Sequence, residues 1–523
     1  MTAVRLQSLL NSLPEGWGRV LQPAGDPAAL AITGVAEDSR RVQPGTLFLA
    51  RRGRGTDGHR YIPAAIAAGA GAVAGELRPD ELPAPFPAGL PYLQVADGRT
   101  AFALLSAAFF DFPSRQMAIV GVTGTDGKTT TSTFVHSILA AAGMRTGLIT
   151  TISALIGDAA LDTGFHVTTP EAFDLQGYLA QMRAAGCTAA VVETTSHGLD
   201  QARVAYVDYD VAVVTNVTHE HLDWHGSWEN YMAAKARLFD ALSTSVPKPG
   251  VPKTAVLNRT DRSYAWLKDK PADQVMTYAI DGQAATCTAS AIVVDRHGTR
   301  FLLHAPDGTV AVQLHLLGRY NVQNALAAAC AGRALGARLP AIAAGLGAVE
   351  RVKGRMEWVY AGEFDLVVDF AHTPNALKET LELGHELVPP GGRVIPVFGS
   401  AGLRDVAKRR LMGEIAGQLA DFSVVTAEDP RTEDVAAIMG AIAEGLEAHG
   451  RQAGRDFICV ADRATAIARA VALARPGDLV VTCGKAHEQS MCYGSTETPW
   501  DEFAAAQAAL AARGLAAAEP ARA

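Results

Sequence analysis

Cysteine is scarce. Six residues, Cys187, Cys287, Cys330, Cys459, Cys483 and Cys492, are scattered through 523 positions with no C-x-x-C pair. That spacing argues against a disulfide framework and thiolate metal sites, and predicts buried free thiols. Charge is thin as well, at 19% of residues against 49% hydrophobic ones, which excludes a disordered chain. Basic residues are in deficit, 46 against 54 acidic, for a formal charge of −8. No basic field exists to collect nucleic-acid phosphates, although a local anion site stays open. No apolar run approaches the ~18 residues of a membrane span. The longest charge-free Ala/Gly stretch, Ile62 to Gly75, contains Pro63 and three glycines and reads as a small-residue helix and turn. The first residues carry leucines at helical spacing but neither a long apolar centre nor a small-residue cleavage site, so no signal peptide is expected. These absences predict a cytoplasmic protein with no nucleic-acid or membrane partner, and a monomer is the expectation carried beside them. Internal repeats are lacking too.

At roughly 150 residues per domain, the length predicts three or four compact units. Three segments separate by pattern: 1–112, 113–351 and 352–523. The first ends where Pro113 and Ser114 interrupt a helix-like run, Thr100 to Phe110. The second opens on the apolar run Met117 to Val122 and continues through Ala189 to Val192 and Val211 to Val214, with alternating hairpin-like stretches between Ala279 and Val312. The third shows strand patterns at Asp365 to Asp369, Arg393 to Phe398, Ser423 to Ala427 and Asp478 to Cys483. Strands alternating with helices predict an α/β protein with mostly parallel sheets, plus a small antiparallel patch in the middle segment. The Ala-rich tail from Ala504 reads as a fraying terminal helix.

The most informative local feature is Gly121-Val122-Thr123-Gly124-Thr125-Asp126-Gly127-Lys128-Thr129-Thr130, which follows an apolar strand and precedes a helix pattern, Thr129 to Ala142. Glycines let the backbone curl until successive N–H groups point inward, and the helix N-terminus adds partial positive charge. Lys128 reaches toward the β- and γ-phosphates and Thr129 toward magnesium. The strict P-loop spacing would place a glycine at Val122, so the match is to the Gly-Thr-x-Gly-Lys-Thr variant. No Asn/Thr-Lys-x-Asp run, which reads guanine in many GTPases, occurs. ATP is the expected nucleotide.

Further along stand Glu193-Thr194-Thr195-Ser196-His197-Gly198-Leu199, Thr215 to Gly226 and Tyr231 to Phe239. Asp38-Ser39-Arg40 precedes them, and Asn321-Val322-Gln323-Asn324, Gly354-Arg355-Met356-Glu357, Asp369 to Pro374 and Gly484 to Glu488 follow. This ordered set resembles the Mur ligase family, ATP-dependent amino-acid ligases of peptidoglycan precursor assembly, and within it the members that add the third residue. The resemblance spans nearly the whole chain. It implies a UDP-muramoyl-binding N-terminal domain, a central P-loop ATPase-like domain and a C-terminal Rossmann-like domain that binds the amino acid.

Joining a carboxylate to an amine requires activation, and transfer of the ATP γ-phosphoryl group to the carboxylate gives an acyl phosphate that the amine attacks. Two anions must meet, so metal ions and cationic side chains have to offset their repulsion. Glu193, at a strand end, fits a magnesium ligand. The resemblance places His221 at a second magnesium ion and makes Lys235 a carbamylated lysine that ligates magnesium. Position 220 holds Glu where the family usually has Asp. The resemblance further implies ATP contacts from Gly124, Thr125, Asp126, Gly127, Lys128, Thr129, Thr130, Asn321, Asn324, Arg355 and Asp369. The acceptor, UDP-N-acetylmuramoyl-L-alanyl-D-glutamate, would face Ser39 through its UDP. Its muramoyl-dipeptide would lie along Thr168, Thr169, Thr195, Gln201 and Arg203, and Val167 replaces an asparagine seen in some members.

The amino acid is expected at the strand ends of the third segment, with Arg404 forking onto its α-carboxylate. Members that add diaminopimelate read Asp-Asn-Pro-Arg where this chain reads Glu428-Asp429-Pro430-Arg431. Asp429 adds a negative charge that repels a distal carboxylate and attracts a distal ammonium. With Gly484 and Glu488 beside it, this leans toward L-lysine or L-ornithine. Arg431 keeps meso-diaminopimelate open as the alternative. A folylpolyglutamate synthase would share the ATP loop and the modified lysine but not the Asp38-Ser39-Arg40 domain. A non-catalytic nucleotide-binding scaffold would not need Lys128, Glu193, His221 and Lys235 together.

Overall fold

The computed structural model describes residues 3–17, 19–20, 29–53, 55–157, 159–161 and 168–517. Position 167 lies outside them. Three sheets, each packed against helices, follow one another along the chain, as the strand and helix alternation predicts.

In the first, Gly34–Ala36, Thr46–Ala50, Ala72–Gly75 and Tyr92–Gln94 run parallel in that spatial order, and Arg19–Val20 closes the far edge antiparallel. Side chains alternate between faces. Leu47, Leu49 and Leu93 meet Phe102, Leu105 and Phe109 of the helix Gly98–Phe109, while Phe48, Val73 and Tyr92 meet Ile62 and Ala65. The stretch Ile62 to Gly75 is therefore a helix, Ile62–Ala67, followed by a buried strand, rather than a helix and turn. The helix preference of its alanines yields to a place between two strands with both faces covered.

The central sheet orders Thr146–Ile149, Ala189–Glu193, Ala118–Thr123, Val211–Val214, Thr254–Asn258 and Gln274–Ala279 side by side, all parallel. Cys287–Asp295 joins parallel and then leads antiparallel into Gly298–Ala305 and Gly308–Leu314. The hairpin-like stretch thus extends the main sheet. Helices Lys128–Ala141 and Arg319–Ala334 cover one face, and Ala172–Ala184 and Trp228–Thr244 the other.

The third sheet runs Glu357–Ala361, Asp365–Asp369, Leu479–Cys483, Val394–Phe398, Ser423–Val425 and Phe457–Cys459, with only the first strand antiparallel. The Ala-rich tail is a docked helix, Glu502–Ala512, with Ala506 and Leu510 buried against this sheet's layer. It does not fray because Glu502 is fully buried in a double contact with Arg463. All six cysteines are free. Four are buried, but Cys459 is exposed and Cys492 half-buried, because both sit on short edge strands. Among the described residues no helix is long and apolar enough to cross a membrane.

Candidate active site

The strand Ala118–Thr123 lies between Ala189–Glu193 and Val211–Val214, so the loops after all three open on one crevice at the carboxyl edge of the sheet. Gly124 has φ +151°, and a Cβ there would collide with Thr215 Oγ1. Gly127, at φ +79°, caps the helix Lys128–Ala141, and a Cβ there would run into Asn324 Oδ1. Only glycine fits either place. The loop is pinned by Thr125 N–H donating to Asn216 O at 2.7 Å and Asp126 N–H to Asn216 Oδ1 at 3.0 Å. Lys128 Nζ donates to Thr125 O at 2.8 Å, and burial holds its pKa below the usual lysine value despite Glu193 and Asp126 nearby.

Glu193, 1% exposed, accepts from Thr129 Oγ1 at 3.0 Å and from the N–H and hydroxyl of Thr151, both at 3.1 Å. Lys235 is also 1% exposed, on the inner face of Trp228–Thr244. Its Nζ donates to Gly124 O at 2.7 Å and stands 4.4 Å from the Tyr231 ring centroid. Burial, reinforced by Lys128, pushes its pKa well below the ordinary lysine value. His221 takes a left-handed backbone, φ 57°, and packs edge-on against His197 at 4.6 Å. Desolvation, then His197 and Lys235, keep the imidazole neutral, and its Nδ1 has no hydrogen-bond partner. Carboxylate, hydroxyl and neutral imidazole suit a hard divalent cation held by few protein oxygens. Among the described residues no three His, Cys, Asp or Glu side chains form a ready-made metal cage.

A cleft of about 740 Å³ joins Thr125 to Thr129, Glu193, Thr195, Thr168 and His221 to Arg355, His372 and Glu488 of the third lobe. Lys235 lies beneath the phosphate loop rather than in the cleft wall. A second cavity, behind the loop, is lined by Asp126, Thr130, Asn321, Asn324, Arg355 and Asp369 among others. Asn321 Nδ2 donates to Leu317 O at 2.8 Å and Asn324 Nδ2 to Asn321 Oδ1 at 3.0 Å. Asp369 accepts from Met356 N–H at 2.7 Å and Ala371 N–H at 2.8 Å, and burial raises its pKa.

On the acceptor side Thr169 and Thr195 exchange a hydroxyl bond of 2.9 Å, and Thr195 caps a short helix by accepting from Gly198 N–H at 3.0 Å. Arg203 donates to Thr169 O at 3.0 Å and Gln201 Oε1 at 2.8 Å, and pairs with Glu171 at 2.7 Å. Much of this group's polarity is engaged internally. Ser39 lines a separate pocket in the first lobe with Glu37, Arg40, Arg51 and Tyr61.

At the third lobe's strand ends, Arg404 feels Arg431 beside it, and desolvation followed by that like charge lowers its pKa. Glu428 is 6% exposed, its Oε2 has no partner, and burial pushes its pKa up to about 7. Asp429 does not offer the free charge expected of it. Its Oδ2 accepts from Lys485 Nζ at 2.8 Å and its Oδ1 from Cys492 N–H at 2.9 Å. Lys485, which stands in the Gly484 to Glu488 run but is given no role there, is one residue whose part sequence reasoning missed. The others are Lys353, in the cleft wall, and a set of contacts between lobes. Asp126 accepts from Thr373 Oγ1 at 3.0 Å and Asn375 Nδ2 at 3.2 Å, and His219 meets Asp405 at 2.9 Å. Glu220, one methylene longer than the expected Asp, reaches Lys408 at 3.4 Å. Nothing in the spacing of the letters announces such pairs.

Comparisons with known proteins match all three lobes. Residues 31–110 match the Mur ligase family catalytic domain, 122–332 the Mur ligase middle domain, and 354–486 the Mur ligase glutamate ligase domain. The UDP-N-acetylmuramyl-tripeptide synthetase of Roseiflexus sp. (strain RS-1) is 46% identical over 497 residues, 93% of this chain and 96% of its own. The UDP-N-acetylmuramoyl-L-alanyl-D-glutamate--2,6-diaminopimelate ligase of Geobacter metallireducens is 39% identical, covering 96% of this chain and 99% of its own. A solved structure of a ligase with that latter name superposes with a TM-score of 0.64 at 29% identity, covering 98% of this chain and 100% of its own.

Proposed function

The chain belongs to the Mur ligase family, among its ATP-dependent ligases that add a diamino acid, and from that premise we propose how its own residues divide the work. The acceptor is UDP-N-acetylmuramoyl-L-alanyl-D-glutamate, bound with UDP at the Ser39 pocket and its dipeptide end along Thr168, Thr195 and Arg203. ATP takes the two cavities around the phosphate loop, adenosine toward Asn321, Asn324 and Asp369, phosphates toward Lys128 and Arg355. The acceptor carboxylate displaces ADP from the γ-phosphorus, and the amine then displaces phosphate from the acyl phosphate. Lys128 and Arg355 offset the charge where the two anions meet.

The donor set fits magnesium, with Thr129 and Glu193 at one ion and His221 and a carbamylated Lys235 at a second. Bound there, the ions would neutralise charge on the phosphates. The carbamyl reading is supported by burial, which favours the neutral amine that adds to carbon dioxide. The two-lobe folylpolyglutamate reading and the inert scaffold are both disfavoured by near full-length relatives named as tripeptide synthetases and diaminopimelate ligases.

For the diamino acid, the reading remains L-lysine or L-ornithine. It now rests on two carboxylates, Asp429 and Glu488, sharing one ammonium, with Glu428 Oε2 left unpartnered. Meso-diaminopimelate is the second reading, favoured by Arg431 standing near Arg404 and by the names of several relatives. The observation that carries the ligase reading is the single cleft joining Lys128 and Glu193 to Arg355 and Glu488. Phosphate release from ATP is expected only with the UDP-dipeptide and a diamino acid both present. Release with neither, or with a folate instead, would overturn it. Turnover ranked across the three diamino acids decides between the two readings.

A further inference from the structure

Lys485 is 1% exposed, and its ammonium donates to Asp429 Oδ2 and Ser490 O and pairs with Glu488 Oε2, each at 2.8 Å. An ammonium has three N–H donors, so none is left for a substrate. Asp429 has both oxygens engaged as well, since the other one takes Cys492 N–H. Two acceptors in the pocket remain uncommitted. One is Glu428 Oε2, which lies so close to Gly484 that a Cβ there would stand 2.7 Å from it. The other is Glu488 Oε1, on a side chain 35% exposed in the cleft.

Beneath this group the fully buried Arg463 donates to Ala427 O at 3.1 Å and Cys483 O at 2.8 Å, the carbonyls just before Glu428 and Gly484. Its guanidinium is held in turn by both oxygens of Glu502, at 2.8 and 2.7 Å. The two strand ends that carry the pocket are thereby tied together, and the acids stand on a fixed frame.

We propose that Lys485 is the specificity-setting positioning residue of the diamino-acid pocket. It cancels part of the charge of Asp429 and Glu488 and leaves Glu428 with the free oxygen of Glu488 to receive the distal ammonium. The proposal rests on the diamino-acid ligase reading above. Its physical content is charge balance: lysine and ornithine bring a net positive distal end, whereas meso-diaminopimelate brings an ammonium and a carboxylate together. Each unit of charge removed from the pocket therefore shifts the choice between them.

The test measures ATP-dependent phosphate release at pH 8 with the UDP-dipeptide and each of the three amino acids in turn, in the full-length protein. In Lys485→Met the ratio of kcat/KM for lysine or ornithine over meso-diaminopimelate should rise by about tenfold, carried by KM of the amino acid, while KM for ATP holds. Lys485→Arg, which keeps the charge, should leave the ratio within about twofold. Asp429→Asn, which removes a negative charge without changing shape, should move it the opposite way, and it serves on its own if Lys485→Met does not fold. A uniform fall in kcat for all three amino acids, with the ratio fixed in both variants, would reduce Lys485 to a structural tie and overturn the proposal. If the unaltered protein shows no release dependent on the amino acid, the ligase reading itself fails, which is a separate result.

Discussion

The phosphate crevice and the amino-acid pocket are built with opposite electrostatic debts. In the crevice the half-buried Lys128 and the buried Lys235 have pKa values pushed down, because desolvation outweighs the few anions near them. In the pocket the buried Glu428 and the half-buried Glu488 have theirs pushed up by the same cause. Each site holds ions at a cost that a ligand of opposite sign relieves: phosphates in one, an ammonium in the other. The third lobe also carries paired ions, Arg463 with Glu502 beneath the pocket and Lys485 with Asp429 within it. Unpaired buried charge marks where a ligand goes, and paired buried charge marks what holds that place still.

The largest effect that would break this contrast is at Lys128. Lys128→Met should lower ATP turnover by about a thousandfold. It should leave the melting temperature unchanged or raised, since an ammonium whose pKa is depressed in the fold weakens the fold at neutral pH. A thermal melt beside a phosphate-release assay reads both. Activity retained, or a large loss of stability, would put Lys128 in the scaffolding class.

Arg463 should behave in the reverse manner. Arg463→Met leaves Glu502 buried and uncompensated, which costs about 3–5 kcal/mol of stability. Denaturant unfolding followed by Trp500, whose Nε1 donates to Glu502 at 2.8 Å, reports the change directly. A variant as stable as the parent protein would show that the pair contributes nothing net.

These two residues also show what the letters disclose. Lys128 was legible because its chemistry is local. Strand, glycines, lysine and hydroxyl follow one another, and Gly124 and Gly127 occur where only a residue without Cβ fits. Arg463 was not, because its partners come from separate segments and a lone Arg reads as a solvated surface charge, and Lys485 stood in the Gly484 to Glu488 run with nothing to tell that Asp429 would meet it from another strand end. The same holds for strand order. Runs such as Val211–Val214 announce themselves by composition, yet nothing in them tells that the hairpins after Cys287 extend the central sheet. The docked tail helix was misread for a related reason: Ala-rich composition says nothing about Glu502 meeting Arg463 across 39 residues.

A smaller effect is expected between the lobes. Asp126 receives Thr373 and Asn375 while standing in the phosphate loop, so the nucleotide site and the third lobe share one carboxylate. Thr373 also caps the helix Pro374–Leu387 by accepting from Ala376 N–H at 3.0 Å. Thr373→Ala should therefore cost about 1 kcal/mol of stability from the cap. Asn375→Ala, which spares the cap, should raise KM for ATP by about threefold with little change in kcat. Unchanged KM would confine the contact to lobe packing.

The smallest effect concerns Glu428, and its sign follows from its surroundings. Lys408, Lys485 and Arg463 face it as cations and Glu488 as an acid, yet burial dominates and sets its pKa at about 7. A carboxyl raised in this way is neutral below that value, so what its protonation contributes to stability is present at acid pH and lost as pH rises through about 7. Attraction for an ammonium runs oppositely, appearing as the group ionises. KM for the diamino acid should fall by about threefold between pH 6 and 8, and Glu428→Gln should flatten that profile while leaving the pH dependence of KM for ATP in place. A profile that stays steep in Glu428→Gln would move the ammonium's partner to Glu488, whose charge Lys485 already shares, and the pocket would then differ from the crevice in the sign of its charge alone.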